Sequence, residues 1–182
     1  MRLASLLQLL CVARAASGHT EYVVIGSLSI LGMEDVADIP EGMSMSIDVD
    51  AYTRTDPARI FDLQDALGEN SPFHRDHGFY LDAVSPDLPT LPDGWESRMR
   101  KIERDGVVVW FLHPDDAAVS KLARLDENDV RWVRAGVAAR LISPPMVKAH
   151  FAATRFLDAQ EESRAREGLE QISRSFEPGS SF

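Results

Sequence analysis

Two short segments decide the fold of this chain, Tyr22-Val23-Val24-Ile25-Gly26-Ser27 and Ser46-Ile47-Asp48-Val49-Asp50. The first is a run of β-favouring residues that stops at Gly-Ser, which predicts a buried strand leading directly into a short helix. The second alternates between polar and apolar residues, which predicts a strand whose two faces differ. We expect both strands, together with a third at Phe79–Val84, in one mixed sheet.

The acid pair of the second segment is the most informative feature. Asp48 and Asp50 are two residues apart, so their side chains point to the same face of the strand, with Cβ atoms roughly 7 Å apart. Neighbouring carboxylates repel each other and resist desolvation, and a hard divalent cation such as Mg²⁺ removes that cost. The alternative is an exposed edge strand whose acids merely face water, which is the commoner case for an Asp-x-Asp pair alone.

Gly26 and Ser27 favour the metal-binding interpretation of the acid pair over the exposed edge strand. At the start of a helix they leave backbone N–H groups and a hydroxyl for phosphate oxygens, and glycine lets the backbone approach closely. Gly-Ser after a strand is by itself more often a plain turn. Followed by an acid pair on the next strand, it suggests a site for phosphate and metal.

These segments, in this order, resemble the motifs of the nucleotidyltransferase superfamily, in which Gly-Ser or Gly-Gly precedes an Asp-x-Asp strand. The closer resemblance is to small bacterial nucleotidyltransferase-like proteins of toxin–antitoxin and abortive-infection (AbiEii-type) systems. It covers about residues 3–135.

The resemblance implies Mg²⁺- or Mn²⁺-dependent transfer of a nucleoside monophosphate from an NTP to a hydroxyl of RNA, such as tRNA, or of protein. Asp48 and Asp50 would hold the metal, and Gly26 with Ser27 would hold the triphosphate. Many members carry a third carboxylate on a later strand, for which Asp82 is the candidate. The sequence does not show whether Asp82 faces the acid pair.

The same families carry a lysine on a helix after the sheet and an acid on the next helix. Lys121 fits the lysine, and Asp129 fits an acid that pairs with it. Lys121 and Arg124 share a helix face and could clamp phosphates. The alternative is a solvated face that pairs with nearby acids such as Asp126.

The order of predicted elements indicates an α+β (mixed α/β) fold, with a nucleotidyltransferase-like mixed sheet flanked by helices and a helical C-terminal part. We assign residues 1–135 to the nucleotidyltransferase-like domain and 136–176 to a C-terminal helical extension. Residues 177–182 are expected to be a disordered tail.

Three boundaries are predicted from local signals. The strand that carries the acid pair is expected to run from Met45 to Tyr52. Gly136 is expected to close a helix that begins near Glu127. A long helix that begins after Ser143 is expected to break near Gly168.

Composition limits the class of protein. The chain has 182 residues, of which 45% are apolar and 26% charged, as in soluble globular proteins, and it has no apolar run of membrane-spanning length. The single cysteine, Cys11, excludes a disulfide framework and favours a reducing compartment. The Leu-rich N-terminus superficially resembles a signal peptide, but Gln8 and Arg14 interrupt it. We therefore expect an amphipathic helix in a mature cytoplasmic protein.

Charge is unevenly distributed along the chain. The net charge of −10 argues against a protein that coats nucleic acid. Residues 1–120 carry a net charge of −11 and residues 121–182 a net charge of +1. An RNA acceptor would therefore need a local basic patch, and the candidates are Lys121, Arg124, Arg131, Arg134 and Arg140.

Two further groups of residues receive structural interpretations. His74 and His77 have a spacing that zinc sites use, but further ligands are missing nearby and a polar loop is expected. The three tryptophans are expected in the core rather than as base-stacking platforms. They are Trp95, Trp110 and Trp132.

Three functions follow from these observations. The leading hypothesis is an NTP-dependent nucleotidyltransferase that acts as a toxin or in phage defence, with an antitoxin as partner. The second is a catalytically degenerate nucleotidyltransferase fold that binds a partner or senses nucleotide. The third is a structural protein with an accidental Asp-x-Asp. Asp82 separates the first two, because a metal-facing third acid favours catalysis.

Overall fold

A computed structural model of the chain describes residues 1–36 and 38–176. The tail at 177–182, expected to be disordered, lies outside the described residues. The chain divides into two compact units, residues 1–88 with 98–113 and residues 89–97 with 114–182. Among the described helices, none combines the length and apolar character that a membrane span requires.

The first unit is built on a five-stranded sheet with the strand order β3-β2-β1-β5-β4. The β1–β5 and β2–β3 pairs are parallel, whereas β1–β2 and β4–β5 are antiparallel. The mixed sheet is therefore confirmed, and it contains all three strands expected to carry the site. The strands are β1 (Glu21–Val24), β2 (Asp48–Thr53), β3 (Tyr80–Ala83), β4 (Arg100–Arg104) and β5 (Val107–Phe111).

Short helices connect these strands and an N-terminal helix packs with them. The predicted helix at the N-terminus is present, contacts β5 and ends at Gly18, which adopts the left-handed conformation with φ +76°. The helices of this unit are α1 (Leu3–Ser17), a 3₁₀-helix (Ser27–Gly32), α2 (Glu41–Ser44), a 3₁₀-helix (Pro57–Leu63), α3 (Gln64–Leu67) and α4 (Pro72–His77). A further 3₁₀-helix, Trp95–Arg98, lies where the chain passes between the two units.

Two local predictions in this unit are corrected. The strand with the acid pair begins at Asp48 rather than Met45, because α2 ends just before and the side chains of Met45 and Ile47 are exposed. His74 and His77 lie on α4 rather than in a polar loop. Ser71 caps this helix by accepting a hydrogen bond from the backbone N–H of His74, at 3.1 Å.

In the part of the second unit that the structure describes there are four α-helices, of which α5 contacts the other three. Trp132 lies in its core, whereas Trp95 and Trp110 are half-buried. The helices are α5 (Pro114–Arg124), α6 (Glu127–Ala138), α7 (Pro144–Phe151) and α8 (Ala159–Arg174).

Gly136 does not end α6, contrary to the prediction. Arg140 takes the left-handed position instead, with φ +60°. The N–H of Leu141 then donates to the carbonyl of Gly136 at 2.8 Å, and the N–H of Arg140 donates to that of Val137 at 3.1 Å. This is a Schellman motif, which places the end of the helix after Gly136.

The break in the C-terminal helix also differs from the prediction. It lies at residues 152–158, between α7 and α8, and Gly168 is inside α8. A Cβ at Gly168 would lie 2.6 Å from Cδ1 of Leu125. This glycine therefore permits close packing instead of breaking the helix.

Candidate functional site

Three aspartates lie together on one face of the sheet, on β2 and β3. Asp48 and Asp50 occupy alternate positions of β2, and Asp82 pairs in register with Asp50 across the parallel β2–β3 pair. One carboxylate oxygen from each residue lies within 4.8 Å of the others. Asp82, whose orientation the sequence left open, therefore joins the acid pair. We call these three residues the Asp triad.

The Asp triad is electrostatically unfavourable without a cation. Burial raises the pKa of the Asp82 carboxyl above its ordinary value, and the negative charges of Asp48 and Glu69 raise it further. All three aspartates are half-buried, so water screens their repulsion only in part. A bound cation would relieve this repulsion.

Neighbouring groups hold the acids of β2 in place. The hydroxyl of Ser46 donates a hydrogen bond to Oδ1 of Asp48. The N–H of Ile25, just beyond β1, donates to the backbone carbonyl of Asp50 at 3.0 Å. The end of β1 and the acid-bearing part of β2 are thereby fixed side by side.

Gly26 is required by the position of Asp50. Its backbone has φ +65° and ψ −155°, a conformation that is essentially restricted to glycine. A Cβ at this position would lie 1.9 Å from Oδ2 of Asp50. Ser27 follows as the first residue of the 3₁₀-helix. The predicted Gly-Ser element therefore lies directly against the Asp triad.

The donor set fits a hard divalent cation. Three carboxylates converge, and the missing side chain of Gly26 lets the carboxylate of Asp50 lie against the backbone there. Oxygen ligands of this kind suit Mg²⁺ and Mn²⁺, and the geometry does not specify the ion. Within the described residues, neither His74 nor His77 belongs to a cluster of three potential metal ligands.

Lys121 and Arg124 belong to the second unit, where both pair with Asp129. Nζ of Lys121 lies 2.9 Å from Oδ1 of Asp129, which confirms the expected ion pair. Nε of Arg124 lies 2.7 Å from Oδ2 of Asp129. The Lys121 and Asp129 side chains are 5% and 2% exposed, whereas that of Arg124 is 67% exposed. Their role in binding phosphate stays a prediction.

These pairings change the acidity of Asp129. Burial raises the pKa of its carboxyl, but the hydrogen bond from Arg124 and the charge of Lys121 outweigh burial and lower the pKa below its ordinary value. Nζ of Lys121 also lies 5.0 Å from the centre of the Trp132 ring, within range of a cation–π contact.

Sequence reasoning missed Tyr80. It pairs in register with Asp48 and lies on the same face as Asp82, two residues further along β3. Burial raises the pKa of the Tyr80 hydroxyl, and the charges of Asp48, Glu69, Asp82 and Asp50 raise it further. Alternation along the strand that contains Asp82, the third-carboxylate candidate, would have placed Tyr80 on the same face.

A family described as "Nucleotidyltransferase of unknown function (DUF6036)" matches residues 2–176. The chain belongs to this family. The match includes the sheet with its Asp triad and the four helices of the second unit. It confirms the assignment to the nucleotidyltransferase superfamily. No curated protein and no solved structure matches this nucleotidyltransferase.

Proposed function

We propose that this nucleotidyltransferase transfers a nucleoside monophosphate from an NTP to a hydroxyl acceptor in the presence of Mg²⁺ or Mn²⁺. The observation that carries the proposal is the third acid, because Asp82 joins Asp48 and Asp50 on one face. A nucleotide-binding module without catalysis has no need of a third carboxylate at this position.

The residues of the site have distinct proposed roles. The Asp triad binds and orients the divalent cation, which when bound supplies charge neutralisation for the phosphates and the attacking hydroxyl. Gly26 and Ser27 bind the triphosphate through the backbone N–H groups and the hydroxyl of the turn.

Lys121 and Arg124 are proposed as further phosphate ligands. The two differ in accessibility, since the Lys121 side chain is buried against Asp129 and that of Arg124 is largely exposed. The guanidinium is therefore better placed to meet an anion, while the ammonium holds Asp129 in position.

The test is transfer of label from each of four α-³²P-labelled NTPs, with Mg²⁺ or Mn²⁺, to total cellular RNA and protein. We expect the parent to label a discrete band, and Asp82→Asn to lose the label. Asp87→Asn, the same change at an exposed turn, serves as the control. NTP binding without transfer to any fraction would instead support the degenerate binding module.

The acceptor and the biological role need separate assays. Sensitivity of the labelled band to RNase or to protease distinguishes an RNA acceptor, such as tRNA, from a protein acceptor. A cytoplasmic toxin should arrest growth when expressed, and Asp82→Asn should abolish the arrest. Relief of the arrest by a co-expressed neighbouring gene product would identify an antitoxin. Growth unaffected by an enzyme that is active in vitro would contradict the toxin role.

A further inference from the structure

We propose that Tyr80 and His74 form an aromatic platform that binds a nucleoside beside the Asp triad. The inference rests on the proposed function and adds the place where the uncharged part of a nucleotide is held. We use "aromatic platform" for these two side chains only.

Tyr80 connects the platform to the Asp triad. It occupies the first position of β3, its backbone N–H donates to the carbonyl of Ile47 at 3.0 Å, and it pairs in register with Asp48. Asp82 lies two residues later on the same face of the same strand. A molecule that contacts the triad therefore passes close to the ring of Tyr80.

His74 is fixed against Tyr80 by the start of α4. The N–H of Asn70 donates to Nδ1 of His74 at 3.0 Å, so Nδ1 acts as an acceptor and the proton of the neutral ring is assigned to Nε2. Arg75 Nη1 donates to the carbonyl of Asn70 at 2.6 Å, which holds the loop that supplies this N–H. The imidazole is thus oriented before any ligand binds.

The geometry of the two rings suits a stacking surface. Their centroids are 4.7 Å apart with an interplanar angle of 48°, and both residues are half-buried. The other rings of this region form a separate cluster, in which His77 lies 4.2 Å from the buried Phe73. The ring of Tyr80 contacts His74, and Tyr80 lies on the same face of β3 as Asp82.

The charges of the surroundings select the chemistry of the ligand. Asp48 pairs with Tyr80 and Asp82 lies on the same face, and with Asp50 and Glu69 they make the surroundings of Tyr80 negative, so a phosphate binds there only with a cation. The rings themselves offer uncharged surface next to that cation site. A base or ribose stacks there at little electrostatic cost, and every base has a face that aromatic rings can bind.

The nucleoside has two sources, the donor NTP and the terminal residue of an RNA acceptor. Binding of Mg²⁺–NTP and Mg²⁺–tripolyphosphate tests the first source, because the second compound has the phosphates without the nucleoside. We expect Tyr80→Leu and His74→Leu to bind the NTP about tenfold more weakly and tripolyphosphate as the parent does. Tyr80→Phe, which keeps the ring, should resemble the parent.

His77→Leu is the matched control, since it removes the same type of ring from the same helix without touching Tyr80. Thermal unfolding and retained tripolyphosphate binding show that each variant is folded. In the second arm, a single-stranded RNA oligonucleotide replaces the NTP. If both Leu variants bind the RNA more weakly but bind the NTP as the parent does, the platform binds the acceptor.

Unchanged binding of both NTP and RNA in the two Leu variants would overturn the aromatic platform, whatever the acceptor of the transfer reaction proves to be. Failure of the proposed function gives a different result. In that case tripolyphosphate binding by the parent would be absent, or would survive replacement of Asp48 and Asp50 by Asn.

Discussion

Gly26 shows how a single residue is constrained by backbone and neighbour together. Its φ of +65° is unfavourable for any L side chain, and a Cβ there would overlap the carboxylate of Asp50. Gly18 also has a positive φ, +76°, but nothing lies within 4 Å of its Cβ position. Gly26 therefore differs from Gly18 in two respects: its backbone conformation is essentially restricted to glycine, and Asp50 occupies its Cβ position.

We predict that Gly26→Ala destabilises the fold more than Gly18→Ala. The control should cost about 1 kcal/mol, the penalty for a left-handed non-glycine residue. Gly26→Ala should cost roughly 2 kcal/mol or more and also weaken metal-dependent NTP binding, because Asp50 must move. Denaturant unfolding and calorimetric titration measure both effects. Equal losses of stability in the two variants would contradict both the backbone constraint and the steric overlap at Gly26.

The Asp triad allows a prediction with opposite signs for stability and function. Replacing Asp48 and Asp50 by Asn keeps the side-chain size and removes two repelling charges. The double variant should unfold at the same or a higher temperature, with a gain of up to about 2 kcal/mol. It should lose metal-dependent NTP binding and transfer. A lowered melting temperature with intact NTP binding would contradict this account of the site.

The alternation of side chains along a strand explains how much of the site could be predicted from the sequence. The spacing of Asp48 and Asp50 placed both on one face of a strand, but the register between β2 and β3 brought Asp82 to them, and a sequence does not state register. The burial of Lys121 depends on helices packed around it, so spacing on α5 could not reveal it.

At the level of elements, Asp129 joins α5 to α6. It lies in the first turn of α6, where Asp126 accepts from its N–H at 2.8 Å, and its carboxylate binds Lys121 and Arg124 of α5. Removing one partner of a buried ion pair leaves an uncompensated charge, which costs about 3–5 kcal/mol.

We predict that Asp129→Asn is less stable than the parent by about 3 kcal/mol at pH 7. The pKa of the Asp129 carboxyl is lowered in the folded state. Its contribution to the free energy of unfolding is therefore fully present above the unfolded pKa, near 3.9, and is lost as the pH falls through the folded pKa. The difference in the free energy of unfolding between Asp129→Asn and the parent should therefore become smaller below about pH 4. Urea unfolding across pH measures it.

Glu127→Gln, a change at an exposed acid of the same helix turn, should leave both the stability and its pH dependence near the parent's. A gap between Asp129→Asn and the parent that stays constant down to pH 3 would contradict the role of the charge.

Element boundaries depended on packing more than on local signals. Gly136 and Gly168 both suggested helix ends, yet Arg140 supplies the left-handed residue for α6 and Leu125 requires the space at Gly168. Asp105-Gly106, by contrast, is a typical hairpin-turn pair and does form the turn between β4 and β5, with positive φ at both residues. Two consecutive residues that tolerate positive φ therefore predict a turn more reliably than a single glycine predicts the end of a helix.

For the whole molecule, the uneven charge gives a prediction about the acceptor. Residues 121–182 carry a net charge of +1 while the rest carries −11, and Arg131 and Arg134 are exposed on α6. Reversing both to Glu should weaken binding of an RNA acceptor and reduce its dependence on salt, while leaving NTP binding unchanged. The same reversal at the exposed Arg155 and Arg174 is the control. Unchanged RNA binding at low salt would contradict the prediction.

The position of β3 in the sheet has a consequence for motion. It is a four-residue edge strand, and within the described sheet its single neighbour is β2. Short edge strands open locally at low cost, so the amide hydrogens of Leu81 and Asp82 should exchange faster with solvent deuterium than those of β1. A divalent cation shared by Asp50 and Asp82 would tie β3 to β2 and slow that exchange in proportion to cation occupancy. Deuterium uptake along β3 would then report occupancy of the site before any reaction takes place.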